Sequence, residues 1–348
     1  MSPYLYLILI LGLGLGTTIT VSSSHWLLAW MGLEINTLAI LPLMAKQHHP
    51  RAIEATTKYF LAQATAAATL LFASTTNAWF SGQWDIEQMS HPLPLAMATT
   101  ALALKLGLAP AHAWLPDVLQ GLDLTTGLIL STWQKLAPFA LLLQMHPAHP
   151  AVLIFLGISS TLIGGWGGLN QTQLRKILAY SSIAHLGWMA LVLQYSPDLT
   201  ILALLTYLVM TFSTFLVFKI NKATTINTLS TAWTKAPILT SFTPLILLSL
   251  GGLPPLTGFM PKWLILQELS KQDLGATATF AALTALLSLF FYLRLSYAMS
   301  LTMFPNTPAG TSTWRLSSPQ ITFPLAITST TTMLLLPITP GIKTLVTL

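Results

Sequence analysis

"GLPPLTGFMPKW", residues 252–263, lies inside a long apolar run from Pro237 to Leu269. It carries three prolines, two glycines and a lysine. Proline inside a helix removes a hydrogen bond and clashes with the preceding turn, and glycine is the weakest helix former after it. The run has 33 residues, which would rise roughly 50 Å as one straight helix. A bilayer's hydrocarbon core is only about 30 Å thick. The run must therefore break, tilt or extend into water. A break is tolerated only where protein or internal water takes up the freed backbone groups. The fold class follows: an all-α polytopic membrane protein with broken helices.

Composition agrees. Of 348 residues, 53% are apolar and only 7% charged, and the mean hydropathy is +0.69. So few charges cannot keep a soluble surface wet. The absence of cysteine excludes disulfides, iron–sulfur clusters and thiolate metal sites. The histidines have no paired ligand spacing within a helix, which argues against haem. No basic cluster is interleaved with aromatics, so the excess of 15 Lys and Arg over 9 Asp and Glu points to anionic lipid, not nucleic acid. The opening "MSPYLYLILILGLG" lacks a signal peptide's basic flank and cleavage site and reads as a retained first span.

About eleven spans are expected: 3–22, 25–44, 55–80, 94–108, 124–143, 150–169, 176–194, 198–219, 237–269, 274–300 and 321–342. Connections after even-numbered spans hold Lys46, Arg51, Lys58, Arg175, Lys176, Lys219, Lys222, Lys235, Arg294 and Arg315. Those after odd-numbered spans hold Lys271, and the C-terminus holds Lys343. The positive-inside rule puts the N-terminus on the cytoplasm-like side and the C-terminus opposite. Trp26, Trp79, Trp84 and Trp314 near span ends suit an aromatic belt. Gly164, Gly165, Gly167 and Gly168 around Trp166 suit close helix contact.

An internal repeat is visible. "GLAPAHAWLP" (107–116) matches "GLPPLTGFMP" (252–261) in Gly, Leu and two prolines, at an offset of 145 residues. The segments belong to spans four and nine. Five is odd, so the copies run in opposite directions, as in inverted-topology repeats. The expected organisation is a first five-helix repeat over 1–145, a second, inverted one over 146–303, and a C-terminal helix over 304–348. A chain with 22 prolines and 20 glycines also offers such matches by chance.

Four ionisable residues fall well inside spans: Glu34, Lys105, Lys135 and Lys262. Lys135 follows Leu124 by 11 residues, about 16 Å along a helix and close to mid-bilayer. Each such charge costs about 3 kcal/mol on insertion scales, on the order of 12 for four. They persist if they pair, face internal water or work. A buried lysine can exchange its proton, whereas arginine cannot. Three lysines with one glutamate suit a proton relay; a fixed ion pair accounts for one lysine and leaves two. His185, in "AYSSIAHLGWM", fits either a relay bridge or a core histidine bonded to a hydroxyl. His112, inside the break of span four, is open in the same way. His48, His49, His91, His146 and His149 read as solvated loop residues.

"WMGLEINTLAILPL", "ALKLGLAPAHAWLPDV", "STWQKLAPF", "LRKILAYSSIAHLGWM" and "SLGGLPPLTGFMPKW", in this order, resemble the antiporter-like membrane subunits of respiratory complex I end to end. The resemblance implies a proton-translocating subunit of an NADH:ubiquinone reductase in the mitochondrial inner membrane, N-terminus to the matrix and C-terminus to the intermembrane space. It implies that Glu34 couples to the adjacent subunit, with Lys105 as its partner. Lys135 is then the central site and Lys262 lies on the second half-channel, with His185 linking the lysines. Cofactors are expected only in partner subunits: FMN, iron–sulfur clusters and ubiquinone. Expected partners are the other membrane-arm subunits, including neighbouring antiporter-like ones, and lipid, with cardiolipin the candidate. The family has fourteen spans, so three are expected to be missing ahead of the first repeat. No Gly-rich dinucleotide turn is present, so no NADH site is expected in this chain. A free-standing cation/proton antiporter shares this fold, but a sodium site favours carboxylates and carbonyls over three lysines. A purely structural scaffold is the third reading.

Overall fold

A computed structural model describes residues 2–46, 48–89, 91–145, 150–234, 237–301, 323–339, 341 and 344. His146, His149, Lys235, Trp314, Arg315 and Lys343 lie outside the described residues, as does much of the expected eleventh span. The described residues are helical, with two isolated bridges, His25–Asp85 and Gln173–Thr225, and no strand. The chain divides into two compact units, residues 1–160 and 161–348.

The first unit holds α1 (Pro3–Ser22), α2 (Trp26–Met44), α3 (Pro50–Ser81), α4 (Pro92–Leu106), α5 (Trp114–Gly121), α6 (Leu124–Ser131) and α7 (Trp133–Gln144). Proline opens α1, α3 and α4, where its missing N–H costs nothing. α1 packs on α2 with backbones nearly touching, since a Cβ on Gly16 would come within 2.8 Å of the Gly32 carbonyl. α4 packs against α3 and α7, and α5 against α3. Serine and threonine hydroxyls donate to carbonyls one turn back, as Thr17 does to Gly14 (2.8 Å) and Ser74 to Leu71 (2.8 Å). Their polarity is thus satisfied within the helix.

α8 (Pro150–Gly168) crosses the division. The second unit continues with α9 (Leu174–Val192), α10 (Pro197–Asn221), α11 (Ile226–Ser230), α12 (Pro237–Gly251), α13 (Phe259–Lys271), α14 (Gly275–Ser300) and α15 (Phe323–Leu334). α9 is buried on nearly every side, and α10 packs on α9, α12, α13 and α15. The glycines around Trp166 work as expected: a Cβ on Gly164 would meet Ala184 of α9, and one on Gly168 would meet Phe291 of α14. Trp166 itself is exposed.

Both broken spans break where the sequence places the break. Among the described residues, five helices are long and apolar enough to cross a membrane: α1, α2, α8, α10 and α14, with α4 and residues 238–251 as shorter apolar helices. The first break ends the expected fourth span at Gly107, and the second divides the ninth into α12 and α13. The fifth is also divided, at Thr132, which the sequence reading did not anticipate. Ser131 and Thr132 both donate their hydroxyls to Leu128 O (3.0 and 2.7 Å), competing with the backbone ladder. Pro138, further on, leaves the Gln134 carbonyl without its helical donor. The belt assignment of Trp26 is corrected: it is 1% exposed, with its backbone N–H donated to Trp84 O (3.0 Å). Trp79, 86% exposed, is free to meet a lipid interface.

Gly258 sits so close to α12 that a Cβ would overlap the Ser249 carbonyl oxygen. Gly258→Ala should destabilise the chain by about 2–3 kcal/mol, because only a backbone shift relieves the clash. Gly275→Ala, where a Cβ meets nothing, should stay within about 0.5 kcal/mol. Thermal unfolding of the assembled protein distinguishes the two.

Candidate functional site

The two breaks are built alike. Gly107 and Gly252, the matched glycines of the repeat, both have φ +81°. Each closes its helix with a Schellman motif. Gly107 N–H donates to Leu104 O (3.2 Å) and Leu108 N–H to Ala103 O (2.9 Å). Gly252 N–H donates to Ser249 O (3.0 Å) and Leu253 N–H to Leu248 O (3.3 Å). A residue with a Cβ resists this left-handed conformation, so the Gly-Leu pair is the chemistry of the stop.

Side chains add further hydrogen bonds at and around both breaks. At the first break, the Trp114 indole N–H donates to Leu104 O (3.1 Å) and the Gln63 amide to Lys105 O (3.3 Å). Ser159 donates to Ala109 O (3.0 Å). At the second, the Lys262 ammonium donates to Gly251 O (2.8 Å), at the negative end of α12. Thr257 donates to Thr332 O of α15 (2.7 Å).

Lys105 occupies the last turn of α4 and Lys135 the first turn of α7. Both are buried, 6% and 3% exposed, and both line one cavity in the first unit. The cavity measures about 20 Å³, enough for one ordered water. Its polar lining adds Asn36, Tyr59, Gln63 and Gln134. Glu34 lies near it on α2, and its charge bears on Lys105 and on the Tyr59 hydroxyl. The Glu34–Lys105 pair is not closed: Glu34 Oε2 and Lys105 Nζ are both buried without a hydrogen-bond partner. The ion pairs among the described residues lie elsewhere, joining Lys58 to Glu54 (2.8 Å) and Asp117 (3.2 Å), and Lys271 to Glu268 (3.6 Å).

In the second unit, His185 and Lys262 line a cavity of about 10 Å³ with Thr206, Met210 and Gly258. The His185 ring stands 5.6 Å from that of Tyr207, tilted by 44°. The Tyr207 hydroxyl is hydrogen-bonded to Ser182, and Tyr292 lies beside Ser181. His112 is not in either cavity; it is partly exposed in the first break, its Nδ1 3.1 Å from Pro110 O. Sequence reasoning missed Asn36, Gln63, Gln134 and Tyr207. An amide inside an apolar span was the available signal for the first three. Among the described residues no three His, Cys, Asp or Glu side chains are grouped to hold a metal ion.

Paired broken helices, each with a lysine beside the break, describe a class of ion-translocating membrane proteins. Residues 23–288 match the family model described as NADH:quinone oxidoreductase/Mrp antiporter, TM, and residues 289–343 that described as NADH dehydrogenase subunit 2 C-terminus. The chain belongs to the NADH:quinone oxidoreductase/Mrp antiporter family. Its relatives include NADH-ubiquinone oxidoreductase chain 2 of Tetraodon nigroviridis, 71% identical over 345 residues and 99% of both chains. That of Salmo salar is 68% identical over 349 residues and 100% of both chains. Among solved structures, a chain of respiratory complex I from Thermus thermophilus with bound aureothin superposes with TM-score 0.83 at 29% identity, over 97% of this chain and 80% of that one. A chain of the Mrp complex from Dietzia sp. DQ12-45-1b shares the fold, with TM-score 0.80 at 15% identity, over 97% of this chain and 76% of that one.

Gly252→Ala should both strain the left-handed turn and press on Lys262, whose Nζ would lie 3.0 Å from the new Cβ. A cost of about 1–2 kcal/mol is expected from the conformation alone. Proton translocation should fall further than stability does, which paired unfolding and pumping measurements would register.

Proposed function

We propose that this chain is a membrane-arm subunit of the proton-translocating NADH:ubiquinone oxidoreductase of the mitochondrial inner membrane. It moves protons along Glu34, Lys105, Lys135, His185 and Lys262. The observation that carries this reading is the shared cavity of Lys105 and Lys135, two buried ammonium groups on a polar lining. Burial on this scale is kept where the groups work or face water. The relatives' names carry the assignment to the complex.

The chain does no redox chemistry in this scheme. Electron transfer in partner subunits, which hold FMN, iron–sulfur clusters and ubiquinone, changes the charge felt at Glu34. Glu34 holds the proton on Lys105 electrostatically. When that hold weakens, the proton leaves for Lys135, and the second unit passes it through His185 and Lys262. His112, at the mouth of the first break, exchanges with water. The prolines and glycines of both breaks interrupt the helices beside Lys105 and Lys262, which gives water a way to the two lysines. Two inverted five-helix repeats, about eleven spans, a matrix-side N-terminus, neighbouring antiporter-like subunits and bound cardiolipin complete the proposal. The matching Schellman stops at Gly107 and Gly252 support the repeat.

A free-standing cation/proton antiporter is the rival, and the likeness to the Mrp chain keeps the fold neutral between the two. The full-length relatives at 71% and 68% identity favour the complex. Lys135→Ala in the assembled complex should abolish most coupled proton movement and slow NADH oxidation with it. Normal pumping by that variant would overturn the relay. Sodium–proton exchange by the purified chain in liposomes would favour the rival.

A further inference from the structure

A cavity of about 180 Å³ lies in the second unit, lined from α10, the second break, α15 and the turn after it. Leu202, Leu205, Val209, Met210 and Leu335 line it together with five threonines. Each threonine hydroxyl already gives its hydrogen to a backbone carbonyl. Thr206 donates to Ala203 O (3.0 Å), Thr257 to Thr332 O (2.7 Å) and Thr331 to Thr328 O (2.9 Å). Thr332 donates to Ser329 O (2.7 Å) and Thr339 to Leu336 O (2.6 Å). The wall left facing the space is almost wholly carbon. A water needs two or more polar partners, whereas an apolar cavity of about 150 Å³ stays dry and takes a hydrocarbon guest.

Depth narrows the guest. α10 begins at Pro197, so Leu202 to Met210 lie roughly 8–20 Å along it, within a hydrocarbon core of about 30 Å. That level holds acyl chains rather than headgroups. Leu205 lines the cavity and is 45% exposed, so the space opens at the outer face of α10. A partner helix, about 10 Å across, is too wide to enter. A single flexible hydrocarbon chain fits, and the membrane supplies one at every open face of a spanning helix. We propose that the cavity seats one acyl chain of a membrane phospholipid, entering sideways beside Leu205. This rests on the membrane-spanning reading of the chain and not on the proton relay, and unlike bound cardiolipin it asks nothing of the headgroup. Thr206 and Met210 also line the cavity of His185 and Lys262. The seated chain therefore packs against the outer side of the wall around Lys262 and fills a void whose lining otherwise lacks contacts.

The test must separate a seated chain from the lipid that bathes any apolar surface. The assembled complex is placed in nanodiscs of phosphatidylcholine carrying a diazirine midway along one acyl chain. It is photolysed either directly or after a detergent wash, and labelled peptides are mapped by mass spectrometry. Phe72 of α3, Phe155 of α8 and Leu286 of α14, all exposed, report the bathing lipid. The expected result is label at Leu205, Val209 and Leu335 that survives the wash, while label at the reporting positions falls at least fivefold. Val209→Trp, which fills the cavity, should remove the retained label at least fivefold and leave the unwashed reporting label unchanged. If that variant does not assemble, Leu335→Phe takes its place with the same expectation. Label at the cavity that washes away with the rest overturns the proposal, as does retained label that the filling variant does not reduce. A cavity unlabelled before washing, beside labelled reporting positions, means that protein covers it, which also overturns the proposal. Displacement of the retained label by free palmitate or ubiquinone, but not by unlabelled phosphatidylcholine, assigns the seat to another guest and overturns it too. Label at none of these positions would instead remove the membrane-spanning reading itself.

Discussion

In hydrocarbon a backbone amide or carbonyl has no water to turn to, so each must find its partner within the protein. Much of this structure depends on that constraint. It makes the described elements helical, and it makes each departure from a helix a local problem with a named solution. Gly107 and Gly252 turn the chain out of α4 and α12 with the last carbonyls already bonded. Trp114, Gln63 and Ser159 take up the carbonyls around the first break, and Lys262 the end of the second.

Those solutions also shape the site. A helix that stops inside the protein presents the negative end of its dipole, which favours a nearby ammonium. Lys105 stands in the last turn of α4, and Lys262 reaches back to the last carbonyl of α12. The two lysines reach their breaks from opposite sides in sequence, one before and one after. Helix geometry rather than sequence position puts each ammonium beside a terminus. Lys135 is different. It begins α7 just after a break made by hydroxyls and a proline, with no glycine stop. Its burial among Asn36, Gln63 and Gln134 shows how the first unit spreads polarity over several short side chains.

Much of the fold was legible in the chain itself. Apolar runs set the class because hydrocarbon thickness fixes helix length. Gly-Leu-x-Pro at 107 and 252 set both breaks because only glycine turns left-handed without strain. Glu34, Lys105, Lys135 and Lys262 stood out because charge in an apolar run is costly. The break at Thr132 was not legible: two hydroxyls bonding one carbonyl is a matter of rotamers, and Ser and Thr occur throughout the spans. Trp26 read as an interface residue because its sequence position is at a span end, yet packing buries it.

The sequence by itself determined that the chain is helical, where α4 and α12 stop, and which ionisable groups would be buried, since these follow from local chemistry and the length of a span. Which groups meet was decided by the tertiary structure. Asn36 of α2, Lys105 of α4 and Lys135 of α7 come to one cavity because α2, α4 and α7 pack together, and His185 of α9 meets Lys262 because α9 packs on α13. Contacts between residues so far apart in the chain depend on how helices pack, which no stretch of twelve residues encodes.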